Sequence, residues 1–273
     1  MSGPIPLRPT SVGVMTEMKA GSCAVVIVAA GSGRRLGHGV PKARVPLGAD
    51  PLLVHAVRGV LKAGIATQIC VAIPADDPEL AEICRKLGAE AATAGLLFSV
   101  VAGGAQRSES VNAALAEIAD GVATVMVHDA ARPLTPSGVF NRVAGALRDG
   151  AKAVIPALAV TDTIKTVEPA SLPATGAGVE KVVGTPARNQ LRSVQTPQGF
   201  ELETLRRAHA YALTLDDEAA SRITDDAMLV EAMGEEVFVV QGSTHSFKIT
   251  APLDLLLAEA MLEGPLRPRW LEG

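Results

Sequence analysis

Over its first 160 residues the chain alternates short apolar, β-branched runs with stretches whose apolar positions recur at helical spacing. Residues 24–30, AVVIVAA, have the length of a buried strand and break directly into a Gly-rich turn. Residues 51–64 place Leu53, Val57, Val60 and Leu61 along one helical face and stop at Gly64. Further strands are predicted at 68–74, 98–104, 122–127 and 151–158. Helices are predicted at 75–88, capped by an Asp and closed by a Gly, and at 136–149. This β-α-β rhythm predicts a mostly parallel sheet flanked by helices, with right-handed crossovers. Ligands on such sheets bind beyond the carboxyl ends of the strands.

The rhythm then changes. Residues 160–167 and 179–185 alternate in strand fashion around a turn-rich connector at 169–178, which predicts a β-hairpin inserted in the α/β domain. Such a hairpin exposes its edges, so it is expected to pair with a second copy of the chain; its Pro-, Ala- and Gly-rich tip also permits a mobile surface loop. Beyond it the pattern predicts helix 201–213, helix 225–233 with Thr224 as its N-cap, strand 235–242, a short strand holding Lys248, and an amphipathic closing helix at 252–262. Residues 1–22, polar and broken by Gly and Pro, read as a disordered extension, and 265–273 as a tail. The domain between them, 23–264, carries the hairpin arm at about 158–186.

Composition narrows the options. A chain of 273 residues is ample for one large α/β domain, and an aromatic content of 3% means that Ala, Val, Leu and Ile must build the core. The net charge of −4 argues against a nucleic-acid surface, so phosphate recognition must be local. Cys23, Cys70 and Cys84 lack metal-ligand spacing and are odd in number, which fits a reducing, cytoplasmic setting. No apolar run approaches the ~18–20 residues of a spanning helix, and no membrane association is expected.

Candidate chemistry collects at the predicted strand ends. After the first strand, Gly31 and Gly33 let the backbone approach a ligand and present its amides, while Arg34, Arg35 and Lys42 supply charge for a polyphosphate. The dinucleotide fingerprint fails because its third glycine position holds Leu36 and Pro41 interrupts any helix. The Walker pattern fails because His38 follows Gly37. The third strand ends in Gly103 and Gly104, followed by Arg107 and Ser110, and the fourth ends in His128, Asp129, Ala130, Ala131 and Arg132. Asp129 suits Mg²⁺, directly or through water, because that ion takes one or two carboxylates beside substrate phosphates. Its alternative reading is a cap on helix 136–149, with Arg132 as partner. His128 reads as hydrogen-bonded scaffolding.

The segments AAGSGRRLGHGVPK (29–42), GGAQRSES (103–110), HDAARP (128–133), DTIK (162–165), ARNQLRSVQTPQGF (187–200), TDDAMLVE (224–231) and FKIT (247–250) occur in an order that resembles the 2-C-methyl-D-erythritol 4-phosphate cytidylyltransferases of the non-mevalonate isoprenoid pathway. The resemblance runs from about Ala24 to Leu262. It implies a Rossmann-like nucleotidyltransferase fold and transfer of a cytidylyl group from CTP to a polyol phosphate, with Mg²⁺ or another divalent cation as cofactor. It also implies a homodimer joined through the hairpin arm. By the same resemblance Arg35, Lys42 and Lys248 are catalytic. Ala29, Ala30, Gly31, Gly33, Arg34, Gly104, Arg107, Ser110, Asp129 and Ala130 bind the nucleotide. Asp129, Arg132, Thr163, Arg188, Thr196 and Thr224 bind the acceptor, with Thr163 and Arg188 reaching across from the partner's arm. A ribitol 5-phosphate cytidylyltransferase and a non-catalytic, nucleotide-binding regulatory subunit are the alternatives.

Overall fold

A computed structural model describes residues 22–31, 33, 36–37, 39–172 and 176–263. In chain order its elements are β1 (Cys23–Val28), β2 (Pro46–Leu47), β3 (Asp50–Pro51), α1 (Leu52–Ala63), β4 (Gln68–Ile73), α2 (Pro78–Thr93), β5 (Leu97–Ala102), α3 (Arg107–Ala116), β6 (Thr124–Asp129), α4 (Ser137–Arg148), β7 (Ala153–Ala159), β8 (Thr166–Leu172), β9 (Gly176–Gly184), β10 (Arg192–Val194), β11 (Gln198–Glu201), α5 (Leu202–Ala212), α6 (Asp217–Arg222), α7 (Asp226–Ala232), β12 (Phe238–Gln241) and α8 (Pro252–Glu263). The central sheet runs β10-β7-β11-β6-β1-β4-β5, with β12 also paired to β7. Strands β6, β1, β4 and β5 are mutually parallel, whereas β10 and β11 run antiparallel to their neighbours.

Alternation along the strands sends side chains to two cores. Val25 and Ile27 of β1 pack with Leu53 and Val57 of α1, Leu80 and Leu87 of α2, and Phe140 of α4. Ala24 and Val26 face the other way, onto Val111 of α3, Leu205 of α5 and Leu229 of α7. This two-faced burial explains why the strands read as continuous apolar runs, as expected of a parallel sheet covered on both sides. A third cluster joins Leu36 and Val45, which flank the Lys42 turn, to Leu134, Ile249 and α8 residues Leu255, Ala258 and Met261. It brings two distant lysine-bearing segments together at one edge.

Several boundaries differ from the expected ones. Helix α2 does not close at Gly88 but runs five residues further, to Thr93. A Cβ on Gly88 would lie 3.3 Å from the Phe98 ring, so this glycine gives helix and strand room to pack closely. The first hairpin strand lies later than predicted and the second begins earlier, so both extend into the expected connector: residues 160–165 are irregular, and β8 and β9 form a separate two-stranded sheet with Pro169 opposite Glu180. Proline is tolerated there because a ribbon's outer edge requires no N–H donor. The N-cap of α7 is Asp225, which accepts from the Met228 amide at 3.0 Å, and not Thr224. Lys248 sits on a loop rather than a strand, where Ile249 N–H donates to Ala131 O at 2.9 Å. Helix α8 is apolar on more than its packed side, since Leu253, Leu256 and Leu257 are exposed.

Residues 1–21 and 264–273 lie outside the described residues, so the predicted disordered extension and tail do too. Ser22 is buried, and its carbonyl accepts from Ala123 and Thr124.

Candidate nucleotide site

The register of the parallel strands levels their carboxyl ends. Val28 of β1 lies opposite Asp129 of β6 and Ala72 of β4, and Ala72 lies opposite Val101 of β5. The turns that leave these strands therefore meet in one cleft of about 340 Å³. Ala29, Ala30, Gly31, Gly33, Lys42, Gly104, Arg107, Ser110, Asp129, Ala130 and Lys248, all expected at the site, line it together. Arg34 and Arg35 lie outside the described residues.

The cleft's backbone is tightly built. Lys42 N–H donates to Gly31 O at 3.1 Å and Leu36 N–H to Gly33 O at 2.9 Å, folding the Gly-rich turn back on itself. Gly33 has φ +67°, and a Cβ there would stand 2.9 Å from the Lys42 nitrogen, so both conformation and space require glycine. Across the cleft, a Cβ on Gly103 would come within 2.4 Å of the Ala30 Cβ. The Ser110 hydroxyl accepts from Gly104 N–H and donates to Gln106 O, both at 3.1 Å, which fixes that turn.

The charges are interlocked. Lys248 Nζ lies 2.6 Å from Asp129 Oδ2, and Arg107 Nε lies 3.4 Å from Asp129 Oδ1. Burial would raise the Asp129 carboxyl, but Arg107, Lys248 and Arg132 outweigh it and hold the group well below the usual carboxylate range. Asp254 accepts from the Thr250 amide and hydroxyl, both at 2.7 Å, placing Thr250 in the cleft wall. Its carboxylate also interacts electrostatically with Lys42.

The structure also shows what the remaining expected site residues do within one chain. Arg132 does not line the cleft. It donates to Ser246 O at 2.6 Å and Val194 O at 3.3 Å, so it ties down the segments that carry Lys248 and Thr196. Thr196 is buried, with its hydroxyl 3.0 Å from His128 Nδ1 and accepting from the Asp129 amide at 3.1 Å. His128 is scaffolding of this kind, its ring 5.1 Å from that of Phe140 and its pKa pushed down by burial to about 4. Thr224 is exposed and touches Met228. Thr163 and Arg188 lie at the foot of the hairpin, exposed, with Arg188 donating to Thr161 O at 2.6 Å. Asp129 is not a helix cap: its carboxylate is taken by Lys248 and Arg107. Thr250 and Gln106 of the lining and the buried Asp226 behind Arg107 are not among the expected site residues. The doubled acid at 225–226 was the available signal for Asp226, since one acid caps α7 and the other is left for a different task.

A single carboxylate flanked by cations suits Mg²⁺ that arrives largely coordinated by substrate phosphates and water. Among the described residues no group of three or more His, Cys, Asp or Glu could hold a metal by itself. Asp129 is thus the residue that fits this ion.

Amides and lysines gathered beyond the strand ends of a parallel sheet suit an anionic ligand, and the fold as a whole is that of the nucleotidyltransferases. It superposes on 4-diphosphocytidyl-2C-methyl-D-erythritol synthase from Anaerococcus prevotii with a TM-score of 0.73 at 26% identity, covering 89% of this chain and 99% of that one. It also matches 2-C-methyl-D-erythritol 4-phosphate cytidylyltransferase from Thermus thermophilus, with a TM-score of 0.65 at 34% identity over 88% of this chain and 98% of the other.

The chain belongs to the 2-C-methyl-D-erythritol 4-phosphate cytidylyltransferase family, whose model matches residues 23–264. Relatives of that name include the proteins of Streptomyces avermitilis, 46% identical over 93% of this chain and 94% of its own length, and Rhodococcus jostii, 48% identical over 89% and 96%.

Proposed function

We propose that this enzyme transfers the cytidylyl group of CTP to 2-C-methyl-D-erythritol 4-phosphate, giving 4-diphosphocytidyl-2-C-methyl-D-erythritol and pyrophosphate for isoprenoid synthesis. The observation that carries the reading is the joining of Lys42, Lys248 and Asp129 in one cleft with the Gly-rich turn, on a chain of this family. An oxygen of the acceptor phosphate attacks the α-phosphorus of CTP, a P–O bond forms, and the bond to the pyrophosphate leaving group breaks. A phosphate monoester is already nucleophilic at neutral pH, so no general base is needed. Rate enhancement comes from positioning and from stabilising the charge that builds on the α-phosphate. In this proposal Lys42 and Lys248, both in the cleft lining, supply that stabilisation, and the turn amides at Gly31 and Gly33 would hold the triphosphate. Asp129 would hold Mg²⁺, which supplies further neutralisation of the phosphate oxygens when bound.

Within the cleft the charges neutralise one another through the Lys248–Asp129 pair. Nucleotide binding exchanges partners: Lys248 turns to phosphate and Asp129 is released. The acceptor pocket is completed by a second copy. Thr163 and Arg188 stand away from the cleft of their own chain on a hairpin whose Val167, Val182 and Val183 are exposed, as suits an arm that packs on a partner. We place the enzyme in the cytoplasm: all three cysteines are buried and free, and among the described residues no helix is long and apolar enough to cross a membrane.

The test is pyrophosphate release from CTP and Mg²⁺ with 2-C-methyl-D-erythritol 4-phosphate, ribitol 5-phosphate or no acceptor. Release with the methylerythritol phosphate alone supports the reading, and release with ribitol phosphate alone overturns the acceptor. Binding of CTP without release with either overturns catalysis.

A further inference from the structure

Behind the cleft, Asp226 is almost wholly buried at the start of α7, and its carboxylate is bound on both oxygens. Oδ2 accepts from Arg107 Nη1 at 2.6 Å, and Oδ1 lies 3.1 Å from Nε2 of His209, itself buried on α5. Arg107 begins α3, lines the cleft, and reaches Asp129 only through Nε at the longer distance of 3.4 Å. Its Nη2 is buried and has no hydrogen-bond partner among the described residues. Burial alone would raise the Asp226 carboxyl, but the Arg107 charge and the His209 contact hold it below its ordinary range, so it is an anion at neutral pH.

This geometry divides one guanidinium between two carboxylates unequally. The buried acid takes the short bond, and the acid in the cleft takes the long one. Without Asp226 the only carboxylate left to Arg107 among the described residues is Asp129, and a buried guanidinium closes on its remaining counterion. Arg107 would then swing out of its place in the wall and capture the carboxylate that the nucleotide site needs. The unpaired Nη2 is a hydrogen bond the site still lacks, and an anionic ligand in the cleft can supply it.

We propose that Asp226, held by His209, is a positioning residue for nucleotide binding: it anchors Arg107 in the cleft wall and keeps that arginine from closing on Asp129. Nothing in the reaction touches Asp226 itself. The inference rests on the proposed role of Arg107 at the nucleotide, so the experiment separates the two.

Initial rates are measured with CTP varied at saturating acceptor, and with acceptor varied at saturating CTP, for D226N, R107M and the double variant. Expected is a KM for CTP raised about ten-fold or more in D226N, corresponding to the loss of one charge-assisted contact, with the KM for the acceptor unchanged. The double variant should be no worse than R107M, because Asp226 acts only through Arg107. A merely structural role would lower the active fraction, and hence kcat, without moving the KM for CTP. It would also add to the R107M effect, and either result overturns the proposal. Should D226N fail to fold, H209L takes its place: it should raise the CTP KM by a smaller factor, with H209Q, which keeps an N–H donor, restoring it. Wild-type CTP KM in both D226N and H209L sinks the inference. Wild-type CTP KM in R107M sinks instead the placing of Arg107 at the nucleotide.

Discussion

Replacing Asp129 by Asn separates binding from turnover, because the same carboxylate opposes the triphosphate and prepares the site for it. The substitution keeps size and one acceptor oxygen but removes the charge that pairs Lys248 at 2.6 Å and Arg107 at 3.4 Å. A triphosphate in the cleft lies near that charge. At a working separation of about 6 Å and an effective dielectric of about 20, one unit of repulsion amounts to roughly 3 kcal/mol. D129N should therefore bind metal-free CTP at least ~10-fold more tightly than the native protein, by titration calorimetry in excess chelator. Turnover with Mg²⁺ should fall by about 10²–10³, the usual loss when one preorganised electrostatic group is removed. Native affinity for metal-free CTP in D129N would refute the idea that this carboxylate neutralises the cations of the site. Native turnover would refute any part for Asp129 in the reaction.

The same variant has a signed effect on stability. The folded carboxyl titrates below its unfolded value, so its stabilisation is fully present above about pH 4 and is lost only as pH falls through the folded value. Arg107 keeps Asp226 as a partner and the Lys248 side chain is 40% exposed, so the loss in D129N should be modest, about 1–3 kcal/mol. Urea unfolding should show this difference at pH 7, shrinking at strongly acid pH.

Four further outcomes follow from the geometry. K42A and K248A should each lower kcat for pyrophosphate release by about 10²–10³ while circular dichroism stays native. T196V leaves His128 Nδ1 and the Asp129 amide without their hydroxyl partner, so it should cost about 1–3 kcal/mol in urea unfolding, with the acceptor KM unchanged if scaffolding is the residue's whole role. His128 is held neutral down to about pH 4 while the unfolded chain takes up that proton near pH 6.5. Stability should therefore fall as pH drops through this window, by up to about 1.4 kcal/mol per pH unit, and H128Q should flatten that part of the curve. The exposed pair Val182 and Val183 on the hairpin, both changed to Asp, should convert a dimer to monomer in analytical ultracentrifugation and abolish acceptor turnover while CTP binding persists.

Strand and helix order was legible because both faces of the sheet are covered, so each buried strand appears as an unbroken apolar run such as 24–28. Boundaries were less legible where tertiary packing overrules a local stop signal. Gly88 reads as a helix end, yet it lies inside α2 because the Phe98 ring needs the space a side chain would fill. The hairpin slipped for the opposite reason. Within one chain the ribbon residues 166–169 and 180–183 are exposed, so alternation at 160–167 did not mark where pairing starts, and Pro169 looked like a turn although it is a strand residue.

For the site, the cleft lining was legible where the backbone itself does the work, since Gly31, Gly33 and Gly104 follow strands whose register the parallel pairing levels. Side-chain partners were not. Lys42 and Lys248 are 206 positions apart and meet because Val45, Leu134, Ile249 and Leu255 form one apolar cluster, a three-dimensional fact with no local signature. Arg132 and Thr196 show the converse. Both lie beside Asp129, one three residues on in the chain and one by hydrogen bond, yet both are spent on carbonyls, an amide and an imidazole that hold the cleft's walls. A residue type suited to a phosphate or a hydroxyl is equally suited to a buried backbone group, and only the position of the competing donors and acceptors decides which it serves. That competition makes Asp226 informative. Asp226 is almost wholly buried and bonded on both oxygens, and its bond to Arg107 lets the weaker Arg107–Asp129 contact yield to a nucleotide.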